Sequence, residues 1–181
     1  YKMKRKFRLL PRQFGEYRGE KCFESEEICV ATNTMSFDDY LDCRGFAMIS
    51  SLLSHEQLDL IHLHLKELGI NNYDYFYYIW QQVVLGKSEL SKVYNAYIKE
   101  TTDELWDNRD DIYRYFIKEE AYRKAMTGEV GDNLIRKYKT RILYEYCIPI
   151  IKLCYFAIEN IIGESAYREI QESLDAAKRW M

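Results

Sequence analysis

The sequence predicts a mainly α-helical fold, a bundle of about seven helices that follows a short N-terminal β segment of one or two strands. From residue 36 onward, apolar residues recur every three or four positions, which is typical of amphipathic helices. Residues 26–32 instead form an apolar, β-rich run. Hydrophobic residues make up 48% of the 181-residue chain, enough for a core. We therefore expect a basic extended or β segment over residues 1–35 and a helical domain over residues 36–181.

The N-terminal region has two stretches with strand character. Residues 3–10 alternate weakly between apolar side chains and cations, and we expect Pro11 to end this strand and residues 12–20 to form a loop. The better strand covers residues 26–32, and its unbroken apolar run over residues 28–31 is typical of parallel sheets. A lone strand leaves its backbone edges unsatisfied, so either residues 3–10 pair with it or its neighbours are absent from the chain.

Start and stop signals divide the remainder into helices. Ser36 and Asp39 form a capping-box-like start for a first helix that ends near Leu53. Gly45 lies inside this helix and indicates close packing by another element. Pro149 is expected to kink the longest helix. The further predicted helices cover residues 54–68, 73–85, about 88–106, about 112–127, 133–162 and 165–180.

The charge of the chain is uneven. The first 21 residues contain eight Lys or Arg and two Glu, a net charge of +6, although the total is −3. A basic arm of this kind either binds nucleic acid through residues 2–8 or packs against acidic surface of a parent protein. The arm has no arginine–aromatic repeat, so the sequence favours packing and disfavours nucleic acid as a partner.

The five cysteines and three histidines give no sign of a disulfide framework or a metal site. An odd number of cysteines without regular spacing predicts a reducing, cytoplasmic compartment. Cys147 and Cys154 are seven positions apart, as are His55 and His62, and seven residues of helix rise by about 10.5 Å, too far for one ion to bridge. No run of 18 uncharged apolar residues exists, so no membrane span is predicted.

Catalytic motifs are likewise absent from the sequence. It contains neither a Gly-x-Ser-x-Gly nucleophile turn nor a glycine-rich phosphate loop. Asp38, Asp39 and Asp42 lie together, but their place in the first turns of a helix favours capping over acid–base catalysis. We therefore assign no catalytic residue.

Tyrosine is the residue type that departs most from ordinary composition. The chain contains 17 tyrosines, roughly three times average usage. Residues 73–80 are aromatic on every face of the predicted helix. This pattern fits a helix buried between neighbours with its hydroxyls at the rim. It also fits an interaction surface or ligand groove, for which the candidates are Tyr73, Tyr75, Tyr77 and Tyr78.

The segment from Glu26 to Phe46 resembles part of the C-terminal region of cobalamin-binding radical S-adenosylmethionine (SAM) proteins. The similar residues run Glu-Glu-Ile-Cys-Val-Ala-Thr-Asn-Thr-Met-Ser-Phe-Asp-Asp-Tyr and continue Leu-Asp-Cys-Arg-Gly-Phe. The resemblance extends over roughly residues 11–70 and implies a cobalamin domain, a radical SAM barrel and a following helical region. The Cys-x3-Cys-x2-Cys cluster motif of that family is absent from this chain, as are a cobalamin domain and a SAM-binding glycine motif.

The resemblance therefore implies a C-terminal, non-catalytic region whose parent holds a 4Fe-4S cluster, SAM and cobalamin in upstream domains, its partners. Because the chain begins with Tyr rather than Met, we expect it to be part of a longer protein, with residues 1–35 as the end of a barrel sheet. The substrate is an unknown small molecule. The family's architecture implies substrate-facing roles for Asn33 and Thr34, and less directly for Arg12 and Gln13. The alternative for Asn33 and Thr34 is a plain turn.

Two other functions remain open at this stage. The chain is alternatively a free-standing helical protein-interaction module that uses its tyrosine-rich helix as the contact surface. The less favoured alternative is a nucleic-acid-binding protein that uses residues 2–8. The resemblance implies that the parent is a radical SAM enzyme, and we expect no catalysis from this chain by itself.

Overall fold

A computed structural model describes residues 2–164 and 167–168 and shows a mainly helical protein with a two-stranded N-terminal sheet, which confirms the predicted fold class. The helix predicted over residues 165–180 lies outside the described residues, apart from 167 and 168. The strands are β1 (Lys4–Tyr17) and β2 (Glu20–Ala31). The helices are α1 (Phe37–Leu53), α2 (Asp59–Glu67), α3 (Asn72–Val84), α4 (Ser91–Asp103), α5 (Arg109–Phe116), α6 (Glu119–Met126), α7 (Leu134–Glu145) and α8 (Cys147–Ile162).

β1 and β2 form one long antiparallel hairpin, so the parallel sheet predicted for residues 28–31 is wrong. The cause is the turn, in which Arg18 (φ 52°) and Gly19 (φ 82°) both adopt the left-handed conformation that a two-residue hairpin turn requires. A connection this short joins only antiparallel strands, because parallel pairing needs a long crossover. The alternative that residues 3–10 pair with the second strand is confirmed.

The prediction that Pro11 ends the first strand is wrong, because β1 forms a bulge at Pro11 and continues to Tyr17. The register passes from Leu9 opposite Ser25 to Phe14 opposite Phe23, which leaves residues 10–13 of β1 facing the single intervening residue of β2. Residues in a bulge leave the hydrogen-bonded ladder, so the missing N–H of proline costs no ladder bond. The loop predicted over residues 12–20 is therefore mostly strand.

The first helix begins and ends where the sequence predicts. The Ser36 backbone N–H donates to Asp39 Oδ2 (2.7 Å), and the Asp39 backbone N–H donates to Ser36 Oγ (3.0 Å), which completes a reciprocal capping box. The hydrogen bond from the Ser36 backbone N–H, followed by one from the Ser36 hydroxyl to the same oxygen (2.8 Å), lowers the pKa of Asp39. The third helix, α3, begins with Asn71 as its N-cap, whose Oδ1 accepts from the Tyr73 N–H (2.8 Å).

Three predicted helices are divided in the structure. The helix predicted over residues 133–162 breaks at Tyr146 into α7 and α8, so that Pro149 lies in the first turn of α8, where its missing N–H is tolerated. The helix predicted to end near residue 127 breaks at Lys118, whose extended backbone precedes Glu119 and Glu120 at the positive end of α6. The second predicted helix begins instead with a 3-10 turn, Glu56–Leu58.

The chain forms two compact units. The hairpin unit comprises Tyr1–Arg44 and Tyr97–Lys137, and the tyrosine unit comprises Gly45–Ala96 and Tyr138–Met181. These boundaries fall inside α1, α4 and α7. The sequence predicted a domain boundary between residues 35 and 36, and this boundary stays a prediction.

Each unit has an apolar core. In the hairpin unit, Leu9 of the bulged strand packs with Ile112 and Phe116 of α5 and with Ala121 and Ala125 of α6, all buried. In the tyrosine unit, α3 contacts α8, and both helices contribute fully buried side chains. The buried residues of these two helices are Tyr75, Ile79 and Val83 on α3, and Ile150, Leu153, Cys154, Tyr155, Ala157 and Ile158 on α8.

Candidate functional site

Asn33 and Thr34 lie exposed in a bend that joins β2 to α1. Thr32 organises this bend, since its Oγ1 accepts hydrogen bonds from the backbone N–H groups of Thr34 (3.2 Å) and Met35 (3.1 Å). The Thr32 N–H in turn donates to the Met35 carbonyl (2.8 Å). The bend is thus held by Thr32, while the side chains of Asn33 and Thr34 face solvent. A substrate-facing role for these two residues stays a prediction.

Arg12 and Gln13 lie elsewhere, in the bulge of β1. Arg12 has a φ of 60°, and its backbone N–H donates to the Gly131 carbonyl (3.2 Å). Its guanidinium donates from Nε and Nη2 to the two carboxylate oxygens of Asp132 (3.0 and 3.3 Å). The hydrogen bond from Arg12 is the largest cause that lowers the pKa of Asp132. These contacts fasten the strained bulge to the segment before α7, whereas Gln13 is exposed.

The two predicted pairs do not form one site. The bulge faces Glu24, which lies seven positions before Ala31, the last residue of β2. At a rise of about 3.4 Å per residue, this places the bulge roughly 24 Å from the strand end that leads to Asn33 and Thr34. Both pairs lie in the hairpin unit, but no single small substrate spans that distance.

The basic segment uses its charge within the hairpin unit. Five of its cations form ion pairs with acidic side chains, which favours the packing interpretation and places the acidic partners in this chain itself. The pairs are Arg5–Glu27, Lys6–Asp107, Arg8–Glu26, Arg12–Asp132 and Lys21–Glu119.

Arg8 is a largely buried cation and joins two carboxylates. Its Nε donates to Glu26 (2.6 Å) and its Nη1 to Glu104 (2.8 Å), the residue after α4. The Arg8 and Glu104 side chains are only 17% and 16% exposed. Burial opposes the charged forms: it raises the pKa of Glu104, although Arg8 pulls that pKa down. Sequence analysis missed this network because its ends are 96 residues apart, with no local signal.

An exposed aromatic face lies on the tyrosine unit. Tyr73 and Tyr77 of α3 are 58% and 38% exposed, and their rings stack 5.8 Å apart at 13°. Phe46 of α1 meets Tyr73, Tyr77 and Trp80 edge-on, with centroids 5.8, 6.3 and 6.0 Å away. We call Phe46, Tyr73, Tyr77 and Trp80 the aromatic face. Phe46 and Trp80 were not among the predicted surface residues, although Trp80 follows Tyr73 and Tyr77 at helical spacing.

The other two tyrosines singled out in the sequence point inward. Tyr75 is 1% exposed, and its hydroxyl donates to the Cys154 carbonyl (3.3 Å). Tyr78 is half-buried, and its ring lies 6.4 Å from that of Phe156 on α8. Burial raises the pKa of both phenols, most strongly that of Tyr75. Helix α3 therefore has one face in the core and one exposed face, and an interaction role for the exposed face stays a prediction.

The cysteines do not assemble a ligand set. Among the residues that the structure describes, no three His, Cys, Asp or Glu side chains are grouped to hold a metal ion. All five cysteines are free, and Cys154 is fully buried, which raises the pKa of its thiol from 9.0 to about 12. An iron–sulfur cluster needs thiolate ligands that meet at one point, so these cysteines do not fit one.

Comparison of the chain with protein-family models, curated proteins and solved structures gives no match. Within the described part of the chain, none of the helices has the length and apolar character needed to cross a membrane.

Proposed function

We propose that this chain is the C-terminal, non-catalytic helical region of a cobalamin-dependent radical SAM enzyme. In this proposal it packs on the barrel and shapes access of a small-molecule substrate in a cytoplasmic parent. The cluster, SAM and cobalamin are held upstream. The observation that carries the proposal is the resemblance of residues 26–46 to that region of the family.

The local structure of this segment supports the proposal. Residues 26–46 comprise the end of β2, the Thr32-centred bend and the capped start of α1, each fixed by hydrogen bonds. Asn33 and Thr34 are exposed at the centre of this ordered segment. An ordered segment with exposed polar groups suits a substrate-access role better than a mobile loop does.

The reading frame that encodes the residues before Tyr1 provides the most direct test. We expect it to encode a Cys-x3-Cys-x2-Cys motif. We also expect the full protein, but not the chain alone, to bind iron and SAM stoichiometrically, as measured by metal analysis and equilibrium dialysis. A reading frame that begins immediately before Tyr1, or stoichiometric iron in the isolated chain, would contradict the proposal.

The aromatic face favours a second candidate function, a free-standing protein-interaction module. Two stacked tyrosines lie beside Phe46 and Trp80 and form a rigid, amphipathic surface. Aromatic residues of these types are enriched in protein interfaces. Tyr73 is more than half exposed although its ring stacks on Tyr77. This candidate needs no upstream domain, and it leads if the reading frame contains none.

Replacement of both exposed tyrosines tests the second candidate. We expect Tyr73→Ser with Tyr77→Ser to weaken a protein contact at least tenfold, because interface tyrosines often contribute about 2 kcal/mol each. The measurement is sedimentation of the purified chain, which reports contact between two copies. The matched control is Tyr144→Ser on α7, a tyrosine that is 86% exposed in the same unit. Equal binding by the double variant and the control variant would rule out the aromatic face as the contact.

A further inference from the structure

The hairpin unit contains a cavity of about 280 Å³ beside Trp106. Leu9, Phe116, Val130 and Leu134 form its apolar walls together with the Trp106 ring. This volume is near the lower end of the usual range for small-ligand pockets, about 300 Å³, so it suits a molecule of roughly the size of one ring with a short side chain. None of the sequence-predicted site residues lines it.

Trp106 is held in place at this cavity by backbone and ring contacts. Its backbone exchanges two hydrogen bonds with Phe7 of β1, from Phe7 N to Trp106 O (2.8 Å) and from Trp106 N to Phe7 O (2.7 Å). Its ring centroid lies 5.3 Å from that of Tyr115 and 6.4 Å from that of Phe116. These contacts preform an aromatic wall, so a ligand would not have to order it.

The charged side chains that line the cavity are all carboxylates: Glu100, Asp103 and Glu104. Glu100 pairs with Lys137 (2.6 Å), and Glu104 pairs with Arg8 (2.8 Å). Asp103 pairs with Lys99, and its side chain remains 58% exposed. A carboxylate has about four lone-pair sites, so each retains acceptor capacity beyond its protein partner. Their cationic partners are not among the lining residues, so the charged groups that line the cavity are hydrogen-bond acceptors.

We propose that this cavity binds a small amphipathic organic cation, an alkyl- or arylalkyl-ammonium. Its apolar body lies against Trp106 and Leu134, and its ammonium donates to the carboxylate rim, with Asp103 as the most accessible acceptor. The apolar body gains from burial against the indole ring, and a carboxylate adds a charge-assisted hydrogen bond to the ammonium. This proposal is independent of the proposed function, since none of the residues that line the cavity belongs to residues 26–46.

Three probes of one shape test the charge requirement. The purified chain, labelled with ¹⁵N, is titrated with phenethylamine, 2-phenylethanol and phenylacetate, and the indole N–H signal of Trp106 is followed. The Trp80→Phe variant removes one other tryptophan signal without touching the cavity unit. We expect saturable binding of the amine, at least about tenfold tighter than the alcohol, a difference of roughly 1.4 kcal/mol. We expect no shift with the carboxylate.

Two variants locate the binding site, and the second has a matched control. We expect Val130→Trp, which fills the cavity, to abolish the amine response. We expect Asp103→Asn, a change at an exposed side chain, to weaken amine binding about threefold to tenfold and leave alcohol binding unchanged. The control is Asp111→Asn, a carboxylate that pairs with Arg114 (3.1 Å) outside the cavity lining. Equal affinity for amine and alcohol, or an amine response unchanged in Asp103→Asn, would overturn the proposal.

Discussion

Gly45 shows how one residue links local preference to packing. Glycine is unfavourable within a helix, yet α1 continues through this position. A Cβ built on Gly45 would lie 2.0 Å from the Tyr94 hydroxyl oxygen, and that hydroxyl accepts a hydrogen bond from Trp80 Nε1 (3.0 Å). The close packing expected from the sequence is therefore confirmed, and the neighbour is a tyrosine of α4 that also supports the aromatic face.

We expect Gly45→Ala to destabilise the protein by about 1–3 kcal/mol, because overpacking outweighs the gain in helix propensity. The measurement is the free energy of unfolding in urea. Propensity alone predicts the opposite sign, a stabilisation of about 1 kcal/mol. Addition of Tyr94→Phe removes the atom of closest approach and should recover part of the loss. A stabilised Gly45→Ala variant would show that α4 yields easily at this contact.

Among the elements, the hairpin departs most from what the sequence predicted. Its turn places Gly19 at a φ of 82°, while Gly15 on β1 has no left-handed backbone; nothing lies within 4 Å of a Cβ at either position. The two glycines thus differ in backbone conformation, but both have room for a Cβ atom. The left-handed backbone at Gly19 therefore distinguishes the two positions, and this conformation forms the tight turn that makes the sheet antiparallel.

We expect Gly19→Ala to destabilise the protein by about 1 kcal/mol, since an L residue at this φ is strained. Gly15→Ala serves as the matched change and should be neutral or stabilising by about 0.5 kcal/mol, because alanine restricts the unfolded chain. Both values come from urea denaturation under the same conditions. Equal effects of the two substitutions would contradict the assigned turn.

At the scale of the molecule, charge pairing determines how the basic segment is used. The segment's cations pair with acids from β2 and from sequence-distant positions such as Glu104, Asp107, Glu119 and Asp132. Most of these pairs are exposed and contribute little stability individually. The Arg8 network is the exception, because both Arg8 and Glu104 are largely buried.

We expect Arg8→Met to destabilise the protein by about 2 kcal/mol at pH 7, because it leaves Glu26 and Glu104 without their cation. Burial already raises the pKa of Glu104, which also faces Arg44 and Glu100, and loss of Arg8 raises it further. A raised carboxyl pKa means that the penalty is fully present above that pKa and is relieved as pH falls through it. The difference from wild type should therefore shrink toward about pH 4.5.

Urea denaturation at both pH values measures this difference in unfolding free energy. Arg5→Met provides the control, since the Arg5 and Glu27 side chains are 59% and 40% exposed, and we expect a cost below about 0.5 kcal/mol. A pH-independent loss in Arg8→Met would show that the arginine contributes packing rather than charge compensation.

The sequence by itself determined the helical class, the start of α1 at its capping box and, to within one residue, the start of α3. These features depend on residues within one turn of each other, so local hydrogen bonding and periodicity are sufficient to predict them. Helix breaks were predicted less well. The sequence predicted a kink at Pro149. Because proline is favoured in the first turn of a helix, the chain instead breaks upstream at Tyr146 and a new helix begins there.

The tertiary structure decided which aromatic residues of α3 are buried and which acids receive the basic segment. Residues 73–80 are aromatic on every helix face, so their pattern does not indicate which face is buried. Packing against α8 buries Tyr75, whereas Tyr73 stays exposed. Likewise, Arg8 meets Glu104 across 96 residues, and the cavity beside Trp106 forms where β1 meets a segment distant in sequence. Local chemistry selects helices and caps, whereas long-range packing selects the partners that they meet.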